Sequence, residues 1–281
     1  MVFELDYLVI GHVTRDLVDG DFTIGGTVSY AGRTAHALGC RVGAITSASP
    51  DLDLNGVLNG VIIARSPAAT TTTFRNIYSA NGRRQVVHGV AGTLVPAMVP
   101  AHWRTAIVHL GPVAQECDPA LVNAFGDAFV GLTPQGWMRR WDRAGHVSPC
   151  QWEKAEELLA RADAVVLSEE DVGSDEALVA RYAAQTRLLV VTQAAAGCTV
   201  YVAGQTRHFP APVVHEVDPT GVGDIFAAAF FVWLHRSGDP WTAARCANCV
   251  AARSVTRAGL SGTPSAEDVA CCERALEALG G

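Results

Sequence analysis

The sequence predicts an α/β fold on a mostly parallel sheet, and three observations point to it. A buried strand over Leu5–Gly11 is followed by Gly25-Gly26, a helix over Thr27–Leu38 and a second strand over Arg41–Ser47. That order calls for a crossover between parallel neighbours. Further short apolar runs recur at Thr105–Leu110, Ala128–Thr133, Ala164–Leu167 and Leu188–Thr192, as in strands covered on both faces. Two apolar helices, Ile225–Arg236 and Ala243–Arg257, follow near the C-terminus.

Each element has a local cause. Leu5-Asp6-Tyr7-Leu8-Val9-Ile10 is β-prone and almost wholly apolar, and Gly39 stops the first helix. Thr70–Val90 places two β-prone runs around Ser79-Ala80-Asn81-Gly82, and Asn-Gly between such runs is a strong hairpin signal. A hairpin inserted in an α/β chain serves as a lid or as a plain edge hairpin, and the pattern leaves both open. Pro134-Gln135-Gly136 turns the chain after a strand, Trp152–Arg161 is a charged helical stretch, and Thr199–Val202 with Thr206–Phe209 forms a short hairpin around Gly204. Ligands of open α/β sheets gather at the carboxyl ends of strands. The loops there carry Asp16, Gly25, Gly26, Gln135, Glu169, Glu170, Thr192 and Asp218.

Composition narrows the function classes. Of 281 residues, 49% are hydrophobic and 17% charged, enough apolar chain to bury a sizeable core. The formal net charge of −7 argues against a nucleic-acid groove, while leaving open an anion site made of backbone amides. Met1–Asp6 shows no basic stretch leading into an apolar run. The most apolar helical run, Ile225–Leu234, is about half the length that spans a bilayer. A cytoplasmic protein with no membrane partner is therefore expected. The eight cysteines include Cys246-x-x-Cys249 and the adjacent Cys271 and Cys272. In Ala-rich helical patterns without an export signal these read as buried small hydrophobes rather than disulfides or a zinc site. Lys154 is the only lysine and no Gly-rich loop precedes it, which excludes a Walker-type P-loop.

The chemistry concentrates in Asp218-Pro219-Thr220-Gly221-Val222-Gly223-Asp224, a Gly-rich turn opening the apolar helix Ile225–Arg236. The first N–H groups of a helix have no partner within it and carry partial positive charge. Gly221 and Gly223 let that backbone approach a ligand closely, so the turn can hold an anion without a cationic side chain. Asp224, at the start of the helix, suits a general base beside that anion. A plain helix-start acid after a tight turn fits the pattern equally. The Gly-x-Gly is not a dinucleotide fingerprint, because Phe226 stands where the third glycine belongs.

On these residues the sequence resembles the ribokinase/PfkB family of carbohydrate kinases. Asp218–Asp224 matches the family's D-x-T-G-x-G-D pattern at every fixed position, and Gly25-Gly26 through Leu38-Gly39 matches its second signature. The resemblance covers essentially the whole chain. It implies a ribokinase-like three-layer sandwich over residues 1–281, with a central mostly parallel sheet and a small β lid from Val13–Ile24 and Thr70–Val90. It implies ATP and Mg2+, a sugar or polyol acceptor, Asp224 as base, and an anion hole from the amides of Gly221, Val222 and Gly223. Asp16, Gly25, Gly26 and Tyr30 would face the acceptor. Ser168, Thr192, Gly197, Thr220 and Asn248 would face the nucleotide, and Glu170 or Asp171 would order the metal through water.

The chain also departs from the family. Tyr30 replaces the usual Asn, Ser168-Glu169-Glu170-Asp171 replaces Asn-x-x-Glu, and Ala194 stands near the usual Gly after Thr192. Tyr30 with Gln135 and Arg139 is similar to the inositol-kinase-like branch. Gln135 and Arg139 would then face a polyol, although Arg139 paired with a nearby carboxylate is the competing reading. One of Arg75 and Arg84, on the lid, would reach substrate or phosphate, with a solvated hairpin face as the alternative. His12 lines the pocket or is a satisfied structural residue. A nucleoside kinase of this fold and a non-catalytic sugar-binding protein are the alternative functions. The family's lids also allow a homodimer.

Overall fold

The computed structural model describes residues 2–18, 20–79 and 82–280, with side chains at all of these except 78, 79, 82, 83 and 276–280. The expected Ala80-Asn81 turn lies outside the described residues. The chain opens with β1 (Phe3–Ile10), the hairpin β2 (Thr14–Val18) and β3 (Asp21–Gly25), then α1 (Thr27–Ala37), β4 (Val42–Ala48), the single turn α2 (Leu54–Val57) and β5 (Ile62–Pro67). A second hairpin, β6 (Thr72–Ser79) and β7 (Gly82–Gly89), precedes β8 (Trp103–Leu110), β9 (Phe129–Leu132) and the short pair β10 (Arg139–Trp141) and β11 (Val147–Pro149). Next come α3 (Ala155–Arg161), β12 (Ala164–Ser168), α4 (Glu176–Gln185), β13 (Leu188–Thr192), β14 (Cys198–Val202) and β15 (Gln205–Phe209). Helices α5 (Val222–Ser237), α6 (Pro240–Ser254) and α7 (Ala266–Gly280) complete it.

Nine strands form the central sheet in the order β15-β14-β13-β12-β9-β8-β1-β4-β5. Pairing is parallel from β5 to β13 and antiparallel at β14 and β15. Alternate residues of one strand serve two cores. Tyr7 and Val9 join the layer of α1, α5 and α6, whereas Leu8 and Ile10 join the layer of α3 and α4. Burial on both faces is why these strands read as unbroken apolar runs. Helix α5 is buried from Ile225 through Val232, so its sequence is apolar all round. Among the described residues no helix is long and apolar enough to cross a membrane.

The two hairpins form a separate four-stranded sheet, β3-β2-β6-β7, over the residues where the resemblance implies a lid. Its inner face is set by register: Asp16 pairs with Phe74, and Phe74 and Val87 pack on Val113 and Ala114 after β8. Hairpin β10–β11 adjoins this sheet through a Val86–His146 bridge and a Val87 N–H to Gly145 carbonyl bond of 2.8 Å. The lid's base is a buried polar knot. The Glu116 carboxylate accepts the N–H groups of His12 (2.9 Å), Val113 (3.0 Å) and Ala114 (2.7 Å). His12 Nδ1 shares a hydrogen bond with Thr72 Oγ1 (2.7 Å), and Nε2 donates to the Gly92 carbonyl at 2.9 Å. His12 is thus a satisfied structural residue joining both lid crossings.

Several elements differ from expectation. The elements β5, α4, α7 and β10–β11 are additional to those expected from the sequence. The cysteines differ more sharply: Cys249 and Cys272 form a disulfide joining α6 to α7, with Cα atoms 5.8 Å apart. Absence of an export signal removed the usual reason to expect one, but close packing of two helices with small residues brings these thiols together. Cys246 and Cys271 remain free.

Candidate active site

The turn before α5 is built by Asp218. Its Oδ1 accepts the Thr220 N–H at 2.9 Å and its Oδ2 the Gly259 N–H at 2.7 Å. Burial alone would raise this carboxyl; the bonds from Thr220 and Gly259 outweigh it and hold it below its ordinary value. The Val255 carbonyl takes the N–H groups of Val217 (2.7 Å) and Asp218 (3.1 Å), fastening the turn to the end of α6. Gly221 then caps α5 in the left-handed region, φ 75°, which favours glycine. Of the three amides expected to form the anion hole, that of Val222 bonds the Pro219 carbonyl at 3.2 Å. Among the described residues, the N–H groups of Gly221 and Gly223 donate to no backbone carbonyl.

Asp224 lies in the first turn of α5, partly exposed, with Ile225 behind it buried. Burial pushes its carboxyl up to about 6; a side-chain hydrogen bond with Thr27 and the Arg139 charge oppose this, and the Asp171 charge adds to it. Four side chains from α1, α5, the start of β10 and the loop after β12 therefore converge. Asp171 is itself held: its Oδ2 accepts the Ser168 N–H at 2.9 Å and its Oδ1 the Gln135 amide at 3.4 Å. Burial raises the Asp171 carboxyl, against the Ser168 hydrogen bond and the Arg139 charge. A carboxylate with a guanidinium and a second acid beside a helix start can take a proton from an alcohol while phosphate sits at the amides.

On the acceptor side, Asp16 lies over Gly25: a Cβ there would collide with its carboxylate and with the Thr14 hydroxyl. Gly26, at φ 87°, turns the chain into α1 against the His12 carbonyl. Gln135 and Arg139 stand beside Asp171, so the structure brings them to the same cluster. Two expected acceptor contacts do not hold. Arg75 pairs with Leu17 and Val86, which sets it on the lid face opposite Asp16 and Phe74, and Arg84, opposite Ile77, shares that outer face. Tyr30 is 1% exposed and its ring lies directly under Gly221, so it supports the turn rather than lining the cleft. Its hydroxyl is buried without a hydrogen-bond partner.

On the donor side, Ser168 Oγ accepts the Glu170 N–H at 3.2 Å, and Thr192 Oγ1 bonds the Leu167 carbonyl at 3.4 Å. Both sit at strand ends, Ser168 closing β12 and Thr192 closing β13. Gly197, φ 101°, packs on the Phe209 carbonyl. Asn248 has another task than expected: it is buried, and its amide donates to the Phe209 carbonyl at 2.9 Å, tying β15 to α6. Among the described residues no three His, Cys, Asp or Glu side chains converge to hold a metal.

Sequence reasoning passes over Thr27 and Glu116. A threonine opening a helix says nothing of its partner, and the only pointer to Thr27 is its place directly after Gly25-Gly26. Glu116 sits in a loop of ordinary polar composition, and its three backbone partners appear only in three dimensions.

Residues 144–267 match the model of the pfkB family carbohydrate kinases. A fructokinase of Klebsiella pneumoniae is 26% identical, over 92% of this chain and 90% of its own length. A cytidine kinase of Thermococcus kodakarensis is 28% identical, over 83% and 89% respectively. Among solved structures, a pyrophosphate-dependent kinase in the ribokinase family, complexed with a pyrophosphate analogue and myo-inositol, superposes with a TM-score of 0.80 at 22% identity, covering 94% of this chain and 99% of that one.

Proposed function

From a chain that carries a pfkB family carbohydrate kinase domain on a ribokinase-like fold, we propose a kinase that moves the γ-phosphate of ATP to a hydroxyl of a sugar or polyol, an inositol being the favoured class. The observation carrying this reading is the placement of Asp224 in the first turn of α5, beside Arg139 and Asp171 and next to the Gly221 turn. The acceptor oxygen attacks the γ-phosphorus while its proton passes to the Asp224 carboxylate, and the bond from that phosphorus to the leaving phosphate oxygen breaks. The N–H groups of Gly221 and Gly223 stabilise charge on the transferred group. Mg2+ would offset the phosphate charge. Asp16 on the lid and Gln135 and Arg139 below it supply the polar contacts that hydroxyl groups need.

A second reading concerns the donor. Asn248 is engaged with the Phe209 carbonyl, which removes one expected contact to adenine. The solved neighbour named above uses pyrophosphate. Pyrophosphate in place of ATP would need the amide cup alone.

A screen of sugars, inositols and nucleosides against ATP and pyrophosphate, each with Mg2+, tests both readings by direct detection of the phosphorylated product. Product from an inositol or sugar with ATP is the expected result. Product from pyrophosphate alone transfers the donor assignment to the second reading. No product from any pair with folded protein overturns the proposal.

A further inference from the structure

We infer that the Thr133 hydroxyl donates a hydrogen bond to the acceptor molecule, and that the buried residues Tyr7 and His109 fix it as a donor. The inference deepens the kinase reading above and rests on it.

Thr133 extends β9, its N–H donating to the Leu110 carbonyl at 3.0 Å. Side chains alternate along a strand. Val130 and Leu132 face the layer of α3 and α4, and Gly131 lies under the Phe231 ring of α5, so Thr133 points to the side of α1 and α5. The same ring meets His109 edge-on, with centroids 5.0 Å apart. Both helices start at the carboxyl end of the sheet: Gly111, after β8, abuts Thr27 of α1, and Gly221 rests on Tyr30 in the same helix. Asp224 precedes Phe231 by about two turns on one face of α5, ~10 Å of rise. Thr133 is ~7 Å beyond Gly131 in that direction, which sets it below the first turn of α5. Its Oγ1 stands 3.0 Å from where a Gly111 Cβ would be, so no side chain at 111 covers it.

The Tyr7 hydroxyl and His109 Nδ1 share a hydrogen bond of 2.7 Å, and His109 Nε2 and Thr133 Oγ1 one of 2.9 Å. Burial pushes His109 down to about 3 and the Tyr7 phenol well above its ordinary value, so the ring is neutral and the phenol keeps its proton. A neutral imidazole has one N–H and one lone pair, which leaves two proton orders. In the first, Nδ1–H donates to Tyr7, whose own O–H then lacks an acceptor at a site 0% exposed. In the second, Tyr7 donates to Nδ1, Nε2–H donates to Thr133, and the proton left over is that of Thr133. Stranding a donor in the sealed core is the costlier outcome, so the second order holds. Thr133 is 9% exposed, at the open end of the chain, with its proton free for an incoming oxygen.

Buried donors find partners, and at a strand end beneath Asp224 the partner is a ligand oxygen. The attacking hydroxyl gives its proton to Asp224, and a donor aimed at its oxygen would weaken it as a nucleophile. Thr133 therefore binds a different hydroxyl of the same molecule, which a sugar or polyol supplies.

The first test is the ring tautomer of His109, read by 15N NMR in ligand-free protein. A protonated Nε2 with a bare Nδ1 is expected, and Tyr7→Phe should release the second tautomer. A protonated Nδ1 in the native chain, or a ring unchanged by Tyr7→Phe, overturns the inference. The second test measures binding and turnover of myo-inositol and fructose, each with its monodeoxy analogues. Thr133→Val should raise acceptor Kd and KM ~10-fold with kcat within ~3-fold, and Thr133→Ser should restore both constants. The loss should vanish for one deoxy analogue, the one lacking the hydroxyl that Thr133 addresses. Native affinity in Thr133→Val, an equal loss for every analogue, or binding of neither probe by the native chain overturns the inference. Should Thr133→Val fail to fold, the tautomer and the analogue series in Thr133→Ser and native protein decide. A chain that binds a probe through Thr133 yet transfers no phosphate would sink the kinase reading alone.

Discussion

The ring of Tyr30 occupies the space that any side chain at position 221 would need, and Gly221 rests on it in a left-handed conformation. The turn before α5 is therefore founded on the first helix, so the two sequence signatures meet as one packed contact. Gly221→Ala should cost ~2–4 kcal/mol, combining the positive φ with overlap on an aromatic ring, measured by urea unfolding. Tyr30→Phe should be equally stable or more stable by ~1 kcal/mol, because it removes a buried hydroxyl without a partner.

The Asp224 carboxyl, pushed from 3.8 to about 6, sets two pH dependences. As a base it must be ionised, so kcat should fall with an acid limb centred near 6. For stability, a folded value above the unfolded one means the protonated acid is favoured on folding. That contribution is fully present below about 4 and is lost as pH rises through about 6. Asp224→Asn should accordingly stabilise the protein at pH 8, by ~1–3 kcal/mol after allowance for its partial exposure, and much less at pH 4. Thermal unfolding at both pH values checks the sign.

The Cys249–Cys272 bridge closes a loop with a sequence separation of 23, for which chain entropy gives ~3 kcal/mol of stabilisation. Reductant should lower Tm in the native chain and leave Tm of a Cys249→Ser/Cys272→Ser double variant unchanged. Equal Tm values with and without reductant in the native chain would mean that the bridge adds nothing.

Glu116 takes three backbone N–H groups at the root of the lid. Glu116→Ala leaves these buried donors without partners and should cost ~3–5 kcal/mol. Faster hydrogen exchange in β2 and β6 than in β12 and β13 would place the damage at the lid base.

Much of this was legible because the physics is local. Strands buried on both faces announce themselves as apolar runs, and Asp218–Asp224 carries its own geometry in its glycines. What stayed hidden depends on contacts distant in sequence. The register that turns Arg75 outward and the ring that places Tyr30 under Gly221 are set by packing between elements. Asn248 reads as a polar residue on a late helix, and only the path of β15 shows what it binds. The disulfide needed the facing of α6 and α7, which two Ala-rich patterns do not specify.

The most direct test of the account is phosphoryl transfer by Asp224→Asn, at saturating donor and an acceptor found by the screen, with acceptor binding measured in parallel. A fall in kcat of at least ~100-fold, with acceptor affinity within a few-fold of the native chain, is the predicted result for loss of a general base. Turnover within about 10-fold of the native chain would contradict it, since that exceeds what a missing base leaves behind.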